Sequence, residues 1–172
     1  NILISAPGDP LEMKKSVEYL IDNPQPSYLR INKNGEPIIH NNHFDIKKGL
    51  PLLVRGHERT SNILLTTGAV LDLAIKAWEI MDNKNEWSVY SLPLWGESTR
   101  NITSDFLFQY KRVVTVEEHL LAGGFGSWIL EMGIKNEPIT LANKVCGMVG
   151  SQDYLRNQNN LSINNLKNCL NR

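Results

Sequence analysis

The chain has 172 residues, 41% of them hydrophobic, with 18 basic and 18 acidic side chains and a formal net charge of zero. That length fits one ordinary domain, or one domain plus a piece of another, around a sizeable core. Balanced charge without a Lys/Arg run argues against a nucleic-acid partner, and no apolar run reaches membrane-spanning length.

The chain opens on Asn1-Ile2-Leu3-Ile4, which reads as a strand already under way and carries no initiating Met; Asn1 is expected to be internal to a longer protein. Ser5 to Gly8 break the strand. Asp9 is a good N-cap, Pro10 suits the first helical position, and Glu12 stands three residues after Asp9, as a capping box requires. Met13, Val17, Leu20 and Ile21 then share one helical face, expected to point inward. The helix should stop near Asn23, before Pro24 and Pro26. Tyr28 to Ile31 form the next strand, and Asn34-Gly35 a turn. Residues 37–48 show neither period and read as an exposed linker, with His40 and His43 in it.

Pro51 to Val54 is a short apolar strand leading into Gly56. The mixed polar cluster Arg55-Gly56-His57-Glu58-Arg59 fits a solvated loop and carries no site. Asn62 to Thr67 is a strand ended by Gly68. Leu71, Ala74, Ile75, Trp78 and Met81 lie on one face of the clearest helix in the chain. Trp87 to Leu92 alternates, which predicts a strand with one less buried side. Thr103 to Tyr110 can supply a short helix. Val113 to Val116 are β-prone and apolar on both faces, the pattern of a buried parallel strand. Glu117-Glu118-His119 and the glycines 123, 124 and 126 end it, and Gly126 or Ser127 should start a helix carrying Trp128, Ile129 and Met132. Ile139 to Val145 is a candidate final strand, Gln152 to Asn160 a surface turn or short helix, and Ser162 the cap of a last helix with Ile163, Leu166 and Leu170 inward. Strand alternating with helix predicts an α/β fold, with a mostly parallel sheet covered by helices and right-handed crossovers. The cysteines, Cys146 and Cys169, have neither metal-ligand nor redox spacing, which is the pattern of reduced cytosolic thiols and makes a cytoplasmic location the default expectation.

Four places invite a chemical reading. Gly8-Asp9-Pro10 begins like a metal site but better fits a helix cap. The glycines 123–126 stand where a helix N-terminus can bind phosphate, but neither G-x-G-x-x-G nor a following Lys-Ser/Thr is present, so tight packing of the turn is the better reading. Glu117, Glu118 and His119 contain acid–base and metal-ligating groups. Adjacent residues at a strand end point to opposite sides, so the three are not expected to converge, and a structural or interface role is favoured. Arg30, at the end of its strand, reads equally as a surface arginine on an edge strand or as a binding residue, its planar fork being able to pair two oxygens of an anion at once. Lys33 is a weaker companion.

Val114-Thr115-Val116-Glu117-Glu118-His119, with Gly123-Gly124-Phe125-Gly126-Ser127 four residues on, resembles the C-terminal-domain signature of the transketolase superfamily. That superfamily includes transketolases, deoxyxylulose-phosphate synthases and the beta subunits of 2-oxo acid dehydrogenases, and the spelling is closest to separate C-terminal transketolase subunits and to the synthases. Pro7-Gly8-Asp9-Pro10-Leu11-Glu12 through Arg30 resembles the end of the family's pyrimidine-binding domain. The resemblance implies three segments: 1–36 as that ending, 37–50 as a linker, and 51–172 as a C-terminal domain. It implies that the parent uses thiamine diphosphate and Mg²⁺ to transfer a two-carbon ketol unit between sugar phosphates, with Arg30 on the substrate phosphate. The Glu that protonates the aminopyrimidine and the aromatic that stacks on it lie upstream in the family. No catalytic, cofactor-binding or metal residue is therefore expected in this chain, which should be inactive alone and mainly structural. Implied partners are the upstream diphosphate- and pyrimidine-binding domains or subunit, a second copy in a homodimer, and a sugar phosphate. The alternatives are a non-catalytic dimerisation or docking domain, a fragment of a deoxyxylulose-phosphate synthase or of a 2-oxo acid dehydrogenase beta subunit, and a generic nucleotide-binding module.

Overall fold

The computed structural model describes residues 1–32, 35–41, 43–141, 147 and 149–171. Lys33, the Asn34 half of the expected turn, Ala142 to Val145 of the expected last strand, and Cys146 lie outside the described residues.

The larger of two sheets has five strands: β3 (Leu52–Arg55), β4 (Asn62–Thr66), β5 (Trp87–Ser91), β7 (Arg112–Val116) and β8 (Asn136–Ile139). Their spatial order is β3-β5-β4-β7-β8, parallel except for the antiparallel edge β3. Pleating divides the side chains between two cores. Leu64, Val89, Val114 and Val116 face α2 (Leu71–Glu79) and α6 (Ile163–Leu170). Ile63, Leu65, Tyr90 and Val113 face α3 (Arg100–Leu107) and α4 (Phe125–Leu130). The α/β reading with a mostly parallel sheet under helices is what the structure has.

The smaller sheet joins β1 (Leu3–Ser5) in parallel to β2 (Ser27–Leu29), and in antiparallel to β6 (Leu94–Trp95), which follows β5. The N-terminal unit is thus tied to the chain that leaves the main sheet. Ala6 strengthens the tie, taking the Gly68 N–H on its carbonyl and giving its own N–H to Pro93 O, each at 2.8 Å. These bonds bring the carboxyl ends of β1 and β4 together.

Several expectations are corrected. The apolar face of α1 (Pro10–Asp22) is not the buried one: Glu12 and Ser16 are buried, whereas Val17 and Ile21 are exposed. Helical spacing fixed the stripe, but the packing site for α1 is built for a carboxylate and a hydroxyl. All of β5 is buried, Ser88 and Ser91 included, because β3 and β4 flank it and both faces are covered. Ser88 Oγ is satisfied by the His57 backbone and the Thr60 hydroxyl. α4 starts at Phe125, ahead of the expected Gly126 or Ser127, and β8 ends at Ile139, where the last strand was expected to begin. The 37–48 segment has no helix or strand among its described residues but is not simply exposed: Ile46 packs with Leu3 and Leu94. Gln152–Gln158 forms α5.

Candidate functional site

Asp9 ends the loop after β1. One of its oxygens accepts the Glu12 N–H at 2.7 Å, the expected cap, and the Glu12 carboxylate accepts the Gly8 N–H at 2.6 Å. The other Asp9 oxygen takes the backbone N–H groups of Ile39 and His40, both at 2.9 Å. The His40 ring lies between the two acids, 3.2 Å from Asp9 and 3.6 Å from Glu12. Burial alone would raise the Asp9 carboxyl, but the His40 side chain and the three N–H donors outweigh it and hold that group below the usual carboxylate range. Burial dominates at Glu12 and pushes it up to about 7, against the opposing Gly8 N–H and His40. A Gly8-Asp9-Pro10 metal site does not fit, because both Asp9 oxygens are committed to the cap and to the 39–40 backbone.

The glycine turn is filled in a comparable way. Glu117, fully buried, leaves the end of β7 and points into the N-terminus of α4. Its carboxylate accepts the Phe125 N–H at 2.5 Å and the Gly126 N–H at 2.6 Å. The positive end of that helix already holds an anion from its own chain. Glycine is needed for space: a Cβ at Gly126 would stand 2.7 Å from Pro138 Cβ and 2.8 Å from Glu117 Oε1, and one at Gly124 only 2.3 Å from Leu120 O. Tight packing, not phosphate binding, describes the turn. Among the described residues no group of three or more His, Cys, Asp and Glu side chains is arranged to hold a metal ion, and neither glycine-containing turn fits a diphosphate–Mg²⁺ group.

Glu117, Glu118 and His119 do come into one network, contrary to the expectation that they diverge. Strand geometry ends at Val116, so period two no longer governs them. His119 Nδ1 lies 2.8 Å from the Glu117 carboxylate, and its Nε2 meets Nη1 of Arg30. Glu118 accepts from Arg156 Nε at 2.6 Å and Gln152 at 3.1 Å, and its second oxygen stands 3.8 Å from Arg30 Nη2. Arg30 follows β2, and its N–H bonds Ser5 O at 2.8 Å. It therefore sits at the carboxyl ends of β2 and β7 together, the end of an open α/β sheet where ligands bind. Arg30 also lines a cleft of about 250 Å³ with Pro7, Pro10, Met13, Asn32 and Glu36. The buried Asn32 Nδ2 there has no hydrogen-bond partner.

The 55–59 cluster stays near the exposed end of β3, apart from this site. Two larger grooves run beside α2, but their basic side chains are already paired, Lys76 with Asp72 at 2.6 Å and Arg156 with Glu118. The residues that sequence reasoning missed are His40 and Arg156. Each meets its acid from more than thirty positions away, and no local spacing signals such a pair.

No family model matches the chain. Curated relatives do. The chain is 29% identical over 151 residues to one of the subunits of the apulose-4-phosphate transketolase of Actinobacillus succinogenes, covering 84% of this chain and 46% of that protein. It is 28% identical over 165 residues to a putative transketolase C-terminal section of Methanocaldococcus jannaschii, covering 90% and 50%. It is 30% identical over 142 residues to 1-deoxy-D-xylulose-5-phosphate synthase of Halothermothrix orenii, covering 80% and 22%. The chain spans about half the length of the first two relatives and less of the third. Among solved structures, a split-gene transketolase described as an inactive beta4 tetramer matches with a TM-score of 0.80 at 18% identity, over 99% of this chain and 56% of that one. The Campylobacter jejuni transketolase matches with a TM-score of 0.69 at 16% identity, over 99% and 26%.

Proposed function

The chain belongs to the transketolase superfamily and corresponds to its C-terminal region; on that premise we propose that its parent protein moves a two-carbon ketol unit between sugar phosphates, and that this region contributes a phosphate-binding arginine, Arg30. On this reading residues 1–36 close a pyrimidine-binding domain, 37–50 link, and 51–172 form the C-terminal domain. Thiamine diphosphate and Mg²⁺ are assigned to upstream domains or a partner subunit, where the cofactor supplies the carbon–carbon chemistry. This chain alone is expected to be inactive and to bind neither, so titration calorimetry with both should give no heat. A homodimer in the cytoplasm completes the proposal.

The observation that carries this reading is the setting of Arg30. Its guanidinium stands at the strand ends, on a cleft that also holds the unpartnered Asn32 amide donor. The fork of a guanidinium at such a position suits a phosphate ester. Glu36 on the same cleft works against an anion, and selects for one that arrives with sugar hydroxyls for it to accept from. A synthase or 2-oxo acid dehydrogenase parent would share the fold; a purely dimerising domain would have no use for Arg30 in a cleft.

The test is an NMR titration of the chain with ribose 5-phosphate and, separately, with ribose. The phosphorylated sugar should move the Arg30 Nε–H resonance and ribose should not, and Arg30→Ala should abolish saturable binding. No phosphate-dependent change at Arg30 removes the proposal.

A further inference from the structure

We propose that His119, oriented by Glu117, is a positioning residue that fixes the Arg30 guanidinium for an anionic substrate group without neutralising its charge. The inference rests on the reading of Arg30 above and adds to it residues that lie far along the chain, His119 being 89 positions on.

The hydrogen-bond pattern defines the imidazole. An arginine can only donate, so the His119 Nε2 that meets Arg30 Nη1 has to be the bare, accepting nitrogen. The proton is then on Nδ1, which donates to Glu117 at 2.8 Å. Glu117 cannot turn away, because its two oxygens also hold the Phe125 and Gly126 N–H groups inside the turn. The side chain of Glu117 is fully buried and that of His119 is 26% exposed, so the relay runs from the interior to the rim, where Arg30 is 28% exposed. A carboxylate fixes a neutral ring, and the neutral ring fixes the cation.

The choice of an imidazole has a consequence for binding. A carboxylate in hydrogen-bond contact with Arg30 would occupy its fork and cancel the charge that a phosphate needs. A neutral acceptor sets the direction of one N–H and leaves the positive charge in place. Glu118 does not close that fork. At 3.8 Å it lies beyond hydrogen-bond distance of Nη2, and Arg156, 2.6 Å away, already balances it. The charged groups facing His119 are therefore Glu117, Glu118 and Arg30, with Arg156 behind Glu118.

The test uses the chain as it stands, at pH 8, with inorganic phosphate as the probe. Two variants of His119 separate positioning from packing. Gln places its amide oxygen as many bonds from Cβ as Nε2 is, and so keeps an acceptor for Arg30. Phe keeps a ring and removes the acceptor. One hydrogen bond lost from the guanidinium should weaken phosphate binding about fivefold in His119→Phe, while His119→Gln stays within about twofold of the parent. A nitrogen-15 spectrum of the unmodified protein should show His119 protonated at Nδ1 and bare at Nε2. Parent affinity in His119→Phe, equal weakening in both variants, or a proton on Nε2 overturns the positioning role. If phosphate binding in that case still depends on Arg30, the reading of Arg30 survives. If the unmodified chain binds no phosphate, both fall.

Discussion

Two helix N-termini in this molecule are each held by a carboxylate, and they hold differently. At α1 the acid is Asp9, adjacent to the helix, and its cap bond spans three residues. At α4 the acid is Glu117, which reaches from the end of a strand to N–H groups eight and nine residues on. The first is a local device that recruits distant backbone: the spare oxygen of Asp9 fastens the segment at Ile39 and His40. The second is a non-local device that serves a neighbour, aiming His119. The cap at α1 organises a connection between segments, while the cap at α4 organises a side-chain site.

The comparison is broken most strongly at Glu117. Glu117→Ala strands two buried N–H donors and frees His119, and should cost roughly 3–5 kcal/mol. Glu117→Gln should recover little, since one end of an amide is a donor and would face N–H groups. Asp9→Ala removes a cap and the anchor of the 39–40 backbone together, for roughly 2–3 kcal/mol. Asp9→Asn should recover the cap's share of that loss, because asparagine is itself a good N-cap, but not the anchor's share, since its amide nitrogen would face the Ile39 and His40 N–H groups. Urea denaturation of the four variants checks the contrast. Equal rescue by Asn at 9 and Gln at 117 would mean that the two caps are alike after all.

The two acids at the start of α1 differ in what pH does to them. The Glu12 carboxyl, raised by burial to about 7 from an ordinary 4.5, favours the folded state fully below pH 4.5, and that contribution is lost as pH rises through 7. Asp9 has the opposite sign: its lowered carboxyl contributes above its ordinary value of 3.8 and is lost on strong acidification. The groups facing Glu12 are Asp9, His40, the Gly8 N–H and the Ser91 hydroxyl. Between pH 5 and 8 the protein should therefore lose up to about 3 kcal/mol through Glu12. Glu12→Gln should flatten that slope and be the more stable protein at pH 8. A slope that persists in the variant would place its origin elsewhere.

The same contrast explains what could be read from the sequence. Asp9-Pro10 with Glu12 gives the first cap because all its parts fall within four residues. α2 is legible because its apolar stripe, Leu71, Ala74 and Ile75, is also its buried face. α1 has as clear a stripe and buries a different one, since burial there is set by the polar partners of Glu12 rather than by the hydrophobic effect. Glu117 was visible as a residue, but its role was hidden. Alternation predicts divergence only while the backbone stays extended, and the chain turns immediately after Val116. Arg30 could be singled out from its strand-end position and its resemblance to a family motif. Its contact with His119, across 89 residues, is a product of β2 and β7 ending on the same side of the molecule. Periodicity reports elements, and this contact depends on how two sheets are joined.

A third helix start shows what remains when neither device is present. Ser162 caps α6 with a neutral hydroxyl, accepting the Asn165 N–H at 3.3 Å. Among the described residues it anchors no other segment through that hydroxyl and aims no side chain at Arg30. Leu166 and Leu170, both buried against the main sheet, hold the helix in place independently of its cap. Ser162→Ala should therefore cost only about 1 kcal/mol, the ordinary value of a neutral cap. Phosphate affinity should be unchanged, because α6 does not reach the cleft. A larger loss would show that the end of α6 does more than start a helix. The expected small loss would leave the two carboxylate caps as the places where a helix N-terminus has been given a second task.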